Sequence, residues 1–216
     1  MKRGFDLIVS GLALAVLAVP LLLVMLVLRM TGEGEVIFKQ QRVGQFGKHF
    51  GVFKFATMRK DSESTGTRDI TLRDDPRVLP VGRFLRKTKI NELPQLVNVL
   101  RGEMSLVGWR PLMPVSFSYY PADVQRRIVA NPPGLTGIGS LVFRDEEAIT
   151  ERSEAPPEIV YREEIFPYKG ELELWYAENR SLWLDLKILV ATAFAVVLPG
   201  SSFYLSWFRN LPLRST

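Results

Sequence analysis

The sequence predicts a mixed α/β protein dominated by helix, in which an apolar N-terminal helix enters a membrane and a single body lies against it. Three observations predict this. Leu7 to Leu28 carries no charge, and at helical rise it covers roughly 33 Å, about one bilayer core. Residues 36 to 55 alternate weakly and are broken by glycines, as a small hairpin or irregular sheet would be. Arg86 to Leu112 contains a helix whose start, near Thr88 to Glu92, is crowded with cations and whose end is marked by Arg101-Gly102.

The N-terminal run is long for a signal peptide, and Arg29-Met30-Thr31-Gly32-Glu33 follows it where a small-residue cleavage site would stand. Pro20 lies past its middle and should break or kink a helix. Both flanks are basic: Lys2 and Arg3 precede the run, and Arg29, Lys39, Arg42 and Lys48 follow it. The positive-inside rule puts both flanks in the cytoplasm. Two paths fit these residues: a broken helix that enters and leaves by one leaflet, and a single pass with a proline kink.

Val36-Ile37-Phe38 is a strand candidate. Gln41 to Gly44 and Phe46-Gly47 read as turns, and Phe50 to Phe55 as a half-buried strand carrying Lys54. Asp61 to Asp75 is polar and reads as a loop, and Asp74-Asp75-Pro76-Arg77 as a capped turn rather than a metal site. In the central stretch Thr88 or Asn91 is the expected cap, Glu92 suits the first turn, and Pro94 is tolerated only near the start. Leu93, Leu96, Val97 and Leu100 repeat at helical spacing. Pro121 to Val129 is a further helix candidate, and Asn131 to Gly137 a stiff, turn-rich loop. Phe143-Arg144-Asp145-Glu146-Glu147 groups acids after an arginine. Leu182 to Leu198 is interrupted by Asp185 and Lys187, which leaves too short an apolar run to cross a bilayer. It is expected to be buried or interfacial, with Tyr204, Trp207 and Phe208 near a headgroup layer.

Composition narrows the chemistry. The 216 residues suffice for one core plus a membrane element. With no Cys, thiolate chemistry is excluded, and with His49 as the single His most zinc sites are too. Polar chemistry therefore falls to Asp, Glu, Lys and Arg. The net charge of +5 favours an anionic partner. Nucleic acid is not expected, because the basic residues border a membrane segment and no aromatic-basic module accompanies them. Arg86, Lys87, Lys89 and Arg110 around Glu92 at a helix start instead suit phosphate groups.

The order of motifs resembles that of the bacterial sugar transferases, the small monotopic phosphoglycosyl transferases. K-R-x-F-D at Lys2 to Asp6 precedes the proline-broken segment. V-I-F-x-Q-x-R-x-G follows at Val36 to Gly44, K-F-x-T-M at Lys54 to Met58, and L-R-K-T at Leu85 to Thr88. The long run from Glu92 to Pro111, P-G-L-T-G at Pro133 to Gly137 and L-D-L-K at Leu184 to Lys187 complete the series. The matching text covers most of the chain.

The resemblance implies a re-entrant N-terminal helix (residues 1–30) and a catalytic domain with interfacial helices (31–216), on the cytoplasmic face of a bacterial inner membrane. It implies transfer of a phosphosugar from a nucleotide sugar, usually a UDP-sugar, to a polyprenol phosphate. UMP leaves, and the reaction opens surface glycan or exopolysaccharide synthesis. It implies Mg2+ with Glu92 as the metal-associated acid, Arg86 and Arg110 as phosphate-binding cations, Lys54 as a further active-site cation, and Arg144 aligned with a family arginine. The apolar helices at both ends leave room for a homodimer.

Two positions depart from the family. Trp109 stands where V-G-P-R-P has its first proline, and Asn91 stands where the family has its nucleophilic Asp. A carboxamide cannot form the acyl phosphate of that mechanism. Three consequences are open: another carboxylate attacks, with Glu92, Asp145 and Glu146 as candidates; the polyprenol phosphate attacks directly in a ternary complex; or the chain is an inactive member that binds ligand or supports a partner. The retained cations and Glu92 favour an active transferase.

Overall fold

The computed structural model describes residues 1–31, 33–60, 62, 75–144, 146, 149–150, 153–198 and 200–212. Most of the polar stretch between 61 and 75, including Asp74, and Asp145 and Glu147 lie outside the described residues.

The N-terminal run forms one helix, α1 (Lys2–Thr31), with Pro20 inside it. At helical rise it is about 45 Å long. Its burial is inverted relative to a soluble helix. Asp6, Ser10 and Leu28 are its buried residues, whereas Ile8, Leu12, Val16, Val19, Leu22 and Leu23 are exposed. The helix is long and apolar enough to cross a membrane, and its exposed apolar face suits a lipid surface. Both ends of α1 touch the same body. Phe5, Val9, Ala13 and Leu14 pack on the main core. Leu21, Val24 and Leu28 pack with Phe55 and Leu85.

The hairpin expected between residues 36 and 55 is β1 (Ile37–Val43) paired antiparallel with β2 (His49–Phe55), in register from Ile37–Phe55 to Val43–His49. The reversal falls later than Gln41 to Gly44, at the second expected turn, Phe46-Gly47. Gln41 to Val43 stay in the strand, and the turn falls at Gly44 to Lys48, where Phe46 and Gly47 take positive φ. Asp75 and Arg77 form a buried ion pair in a tight turn, with the Arg77 amide donating to Asp75 Oδ1, as expected of a capped turn.

Next come α2 (Pro80–Lys87), a 3-10 turn (Ile90–Glu92) and α3 (Gln95–Arg101), which ends on Gly102 at φ 84. Capping differs from expectation. Thr88 Oγ donates back to the Phe84 carbonyl, Asn91 makes no capping bond, and Pro94 occupies the α3 N-cap. The 3-10 turn shifts the helical phase, so α3 buries Gln95, Leu96, Asn98 and Val99 and leaves Leu100 exposed.

Strand β3 (Ser105–Val107) pairs in parallel with β4 (Gly134–Thr136). The stretch expected as a loop at 131–137 is thus partly strand. Glycines permit the pairing: a Cβ on Gly134 would lie 2.1 Å from the Gly108 nitrogen, and one on Gly137 2.1 Å from the Gly108 carbonyl oxygen. The glycines of V-G-W-R-P and P-G-L-T-G therefore touch one another.

Helices α4 (Pro114–Phe117), α5 (Ala122–Ile128) and α6 (Ile138–Val142) follow. Then α7 (Pro157–Val160) passes through a π-helical turn (Tyr161–Ile165) into α8 (Phe166–Asn179). The apolar C-terminal segment is α9 (Leu182–Val197), capped by Ser181, whose Oγ accepts from the Leu184 amide. Val99, Ile138, Ile165, Leu172, Ile188 and Ala191 have no exposed surface and form the centre of the core. Tyr204 and Phe208 point into this core rather than toward a headgroup layer. Phe203, which is exposed, and the half-buried Trp207 meet Phe194 edge to face.

Candidate active site

The site is built where the α2–α3 turn faces β2 and the segment after β3. Asn98 on α3 fixes β2: its Oδ1 accepts from the Phe53 amide at 3.0 Å, and its Nδ2 donates to the Gly51 carbonyl at 2.8 Å. That brace sets Lys54 opposite the turn carrying Glu92. The pairing of β3 with β4 delivers Arg110 to the same place. Glu92 Oε1 lies 3.1 Å from Arg110 Nη2 and 3.6 Å from Lys54 Nζ. Arg42, from β1, joins them beside Gln95, Pro111 and Gly134 in a shallow cleft. Arg42 also donates to Gln40 and reaches the Pro111 carbonyl at 3.5 Å.

Three cations and one carboxylate thus line the cleft, a formal excess of +2 when Lys54 is protonated. Such a charge suits a diphosphate dianion.

Electrostatics in the cleft oppose burial. Burial alone would push the Glu92 carboxyl up, but Arg110, Lys54 and Lys89 together hold it well below the usual carboxylate range. The Arg110 guanidinium is pulled up by Glu92 against its own desolvation. Burial drives the Lys54 ammonium down to about 7; Glu92 resists, and Arg42, Arg110 and Arg86 add to the fall. A lysine poised there is one that a bound phosphate would recharge.

Of the residues singled out from sequence, Lys54, Glu92 and Arg110 are in contact. Arg86 acts on Lys54 and Lys89 electrostatically, and Arg144 acts on Lys89. Asn91 is buried on the same turn as Glu92, and among the described residues its Oδ1 has no hydrogen-bond partner. Glu146 lies within electrostatic reach of Arg110 but is paired with Lys169, whose side chain is 2% exposed. Asp145 lies outside the described residues. The sequence alone does not mark Arg42 or Gln95 as cleft residues, although Arg42 is the arginine of the Q-x-R-x-G motif. Nor did it single out Glu173, which lies under Arg110 and accepts from its amide at 3.5 Å. Burial pushes that carboxyl up to about 7, against Lys169 and Arg110. Trp109 leaves the arginine in place. Its ring packs on Phe117 with centroids 5.7 Å apart, and its Nε1 donates to the Asn131 carbonyl at 2.9 Å.

The family model described as bacterial sugar transferase matches residues 1–199. The chain belongs to the bacterial sugar transferase family. It is 34% identical over 211 residues to the undecaprenyl-phosphate galactose phosphotransferase of Salmonella typhimurium, covering 91% of this chain and 40% of that protein. It is 37% identical over 207 residues to the undecaprenyl-phosphate glucose phosphotransferase of Komagataeibacter xylinus, covering 94% of this chain and 37% of that protein. The chain thus spans about two fifths of the length of these relatives. Against the uncharacterized sugar transferase EpsL of Bacillus subtilis the match is 37% over 198 residues, covering 92% of this chain and 88% of that one.

Proposed function

We propose that this chain transfers a phosphosugar from a UDP-sugar to a polyprenol phosphate, releasing UMP, at the cytoplasmic face of a bacterial inner membrane. The observation that carries the reading is the cleft in which Arg110 and Lys54 converge on Glu92, in a body whose N-terminal helix turns an apolar face outward. Phosphoryl transfer asks for alignment and charge neutralisation more than for a strong acid or base. Arg42, Lys54 and Arg110 supply both. Contact of both ends of α1 with one body supports a re-entrant path, since each end then lies on the cytoplasmic side.

The residues also fit Mg2+. That ion binds through one or two protein oxygens and completes its shell with phosphate and water. Among the described residues both ion pairs of Glu92 run to Oε1, which leaves Oε2 for a metal, and the buried Asn91 Oδ1 on the same turn is a hard oxygen without a partner. Glu92 would hold the ion, with Asn91 beside it, and the ion would neutralise phosphate charge.

With Asn91 unable to attack, direct displacement is the route these residues favour. Both described acids named as substitutes are ion-paired, Glu92 to two cations and Glu146 to Lys169. A phosphate oxygen of the acceptor attacks the sugar-bearing phosphorus. The bond to the bridging oxygen breaks, and its electron pair leaves on UMP. No proton need move, which suits a cleft without histidine.

The test uses purified protein in nanodiscs with magnesium, undecaprenyl phosphate and UDP-sugars labelled at the β-phosphorus. UMP release that requires the lipid, is lost in Glu92→Gln, and leaves no label on protein is the expected result. A burst of UMP without lipid, with label on the chain, refutes direct displacement. No UMP from any sugar refutes the transferase reading.

A further inference from the structure

The two elements that carry the site are both gripped at their far ends by the first turns of α1. Helix α3 begins just after Glu92, and its last turn is held by Arg3, whose guanidinium donates to the carbonyls of Val99 at 2.6 Å and Leu100 at 2.9 Å. Strand β3 leads to Arg110 and is held by Asp6. Asp6 Oδ2 accepts from Ser105 Oγ at 2.8 Å, and Oδ1 accepts from the Leu106 amide at 3.2 Å. Lys2 adds a third tie by pairing with Asp185 of α9. The Tyr176 hydroxyl donates to Asp185 Oδ1 at 2.6 Å and sits 3.1 Å from the Val107 carbonyl oxygen. A membrane anchor needs none of this. Asp6 is 2% exposed, and burying a carboxylate at the root of an apolar helix is costly unless its hydrogen bonds hold something in place.

We infer that Asp6 is a positioning residue: with Arg3 it clasps α3 and β3 together, so that the N-terminal turn of the membrane helix sets the approach of Arg110 to Glu92. The K-R-x-F-D motif is then part of the phosphate clamp's frame. Seating α1 in the bilayer and assembling the clamp become one event. Displacement of β3 by a fraction of an ångström moves Arg110 off the phosphates, which costs the transition state more than the bound ground state.

The inference rests on the transferase reading for its kinetic arm only. Asp6→Asn and Ser105→Ala, made in the full chain in nanodiscs, are compared with wild type for membrane retention, thermal midpoint, kcat, KM for the UDP-sugar, and amide hydrogen exchange at Gly108 and Arg110. Asp6→Asn is expected to remain membrane-bound, to lower kcat at least tenfold with KM within twofold, and to speed exchange at Gly108 and Arg110 at least tenfold. Ser105→Ala, which removes one of the two partners of Asp6 and keeps the strand, should shift both readouts the same way by a smaller factor. It decides the matter if Asp6→Asn does not fold. Unchanged exchange at Gly108 and Arg110 overturns the clasp even if the wild-type protein turns over no substrate. In an active protein, unchanged kcat overturns it as well.

Discussion

Replacing Glu173 by glutamine should remove a pH dependence of stability that the wild-type chain carries between pH about 4.5 and 7. Glu173 is 1% exposed, its Oε2 has no hydrogen-bond partner among the described residues, and Lys169 beside it is already paired with Glu146. Its carboxyl is therefore raised from 4.5 to about 7 on folding. A raised carboxyl contributes stability below its unfolded value, and that contribution is lost as pH rises through the folded one. The full difference is about 3 kcal/mol, or roughly 5–10 °C in thermal midpoint for a chain of this size. Glutamine keeps the shape and the acceptor for the Arg110 amide but never ionises. Thermal midpoints in nanodiscs at pH 5, 6, 7 and 8 test this. The wild-type curve should fall relative to Glu173→Gln by most of that amount between pH 5 and 8, and the two should converge as pH drops below 4.5. Parallel curves would refute the reasoning. So would a variant less stable at every pH, because ionised Glu173 would then be a needed partner of Lys169.

Lys54 gives a pH effect of the same direction on binding. Its ammonium loses its proton as pH rises through about 7, so UDP binding followed by calorimetry should weaken by up to about tenfold from pH 6 to 8.5, and Lys54→Arg should flatten the profile. Lys169→Met strands the Glu146 carboxylate in a largely buried place and should cost about 3–5 kcal/mol by denaturant unfolding. Trp109→Pro restores the family's residue but removes the indole bond to Asn131 and the packing on Phe117. It should destabilise by about 3 kcal/mol; an equal or higher midpoint would show that the loop tolerates either residue.

Much of the site was legible because it is written in contiguous text. Glu92 and its cations sit in one stretch, and Lys54 and Arg110 belong to motifs whose order is specific. Arg42 belongs to a motif and to a basic flank, but nothing in a strand sequence says which alternate residue faces a cleft. Glu173 was hidden in an acid-rich helix, where a buried carboxylate and a solvated one read alike. Glu146 looked like a spare acid until Lys169, 23 residues on in sequence, proved to hold it.

The sequence by itself determined the apolar helix, the hairpin, the α3 glycine stop and the family, since these follow from local periodicity, turn chemistry and motif order. Only the tertiary structure decided what cross-chain distances set. The 3-10 turn at Ile90–Glu92 shifts the buried face of α3, and the glycines of two distant motifs meet to form a parallel strand pair. Lys2, Arg3 and Asp6 hold residues 96 to 183 positions away. Such contacts depend on how elements pack, and packing is fixed by the sum of burial over the whole core rather than by any window of residues.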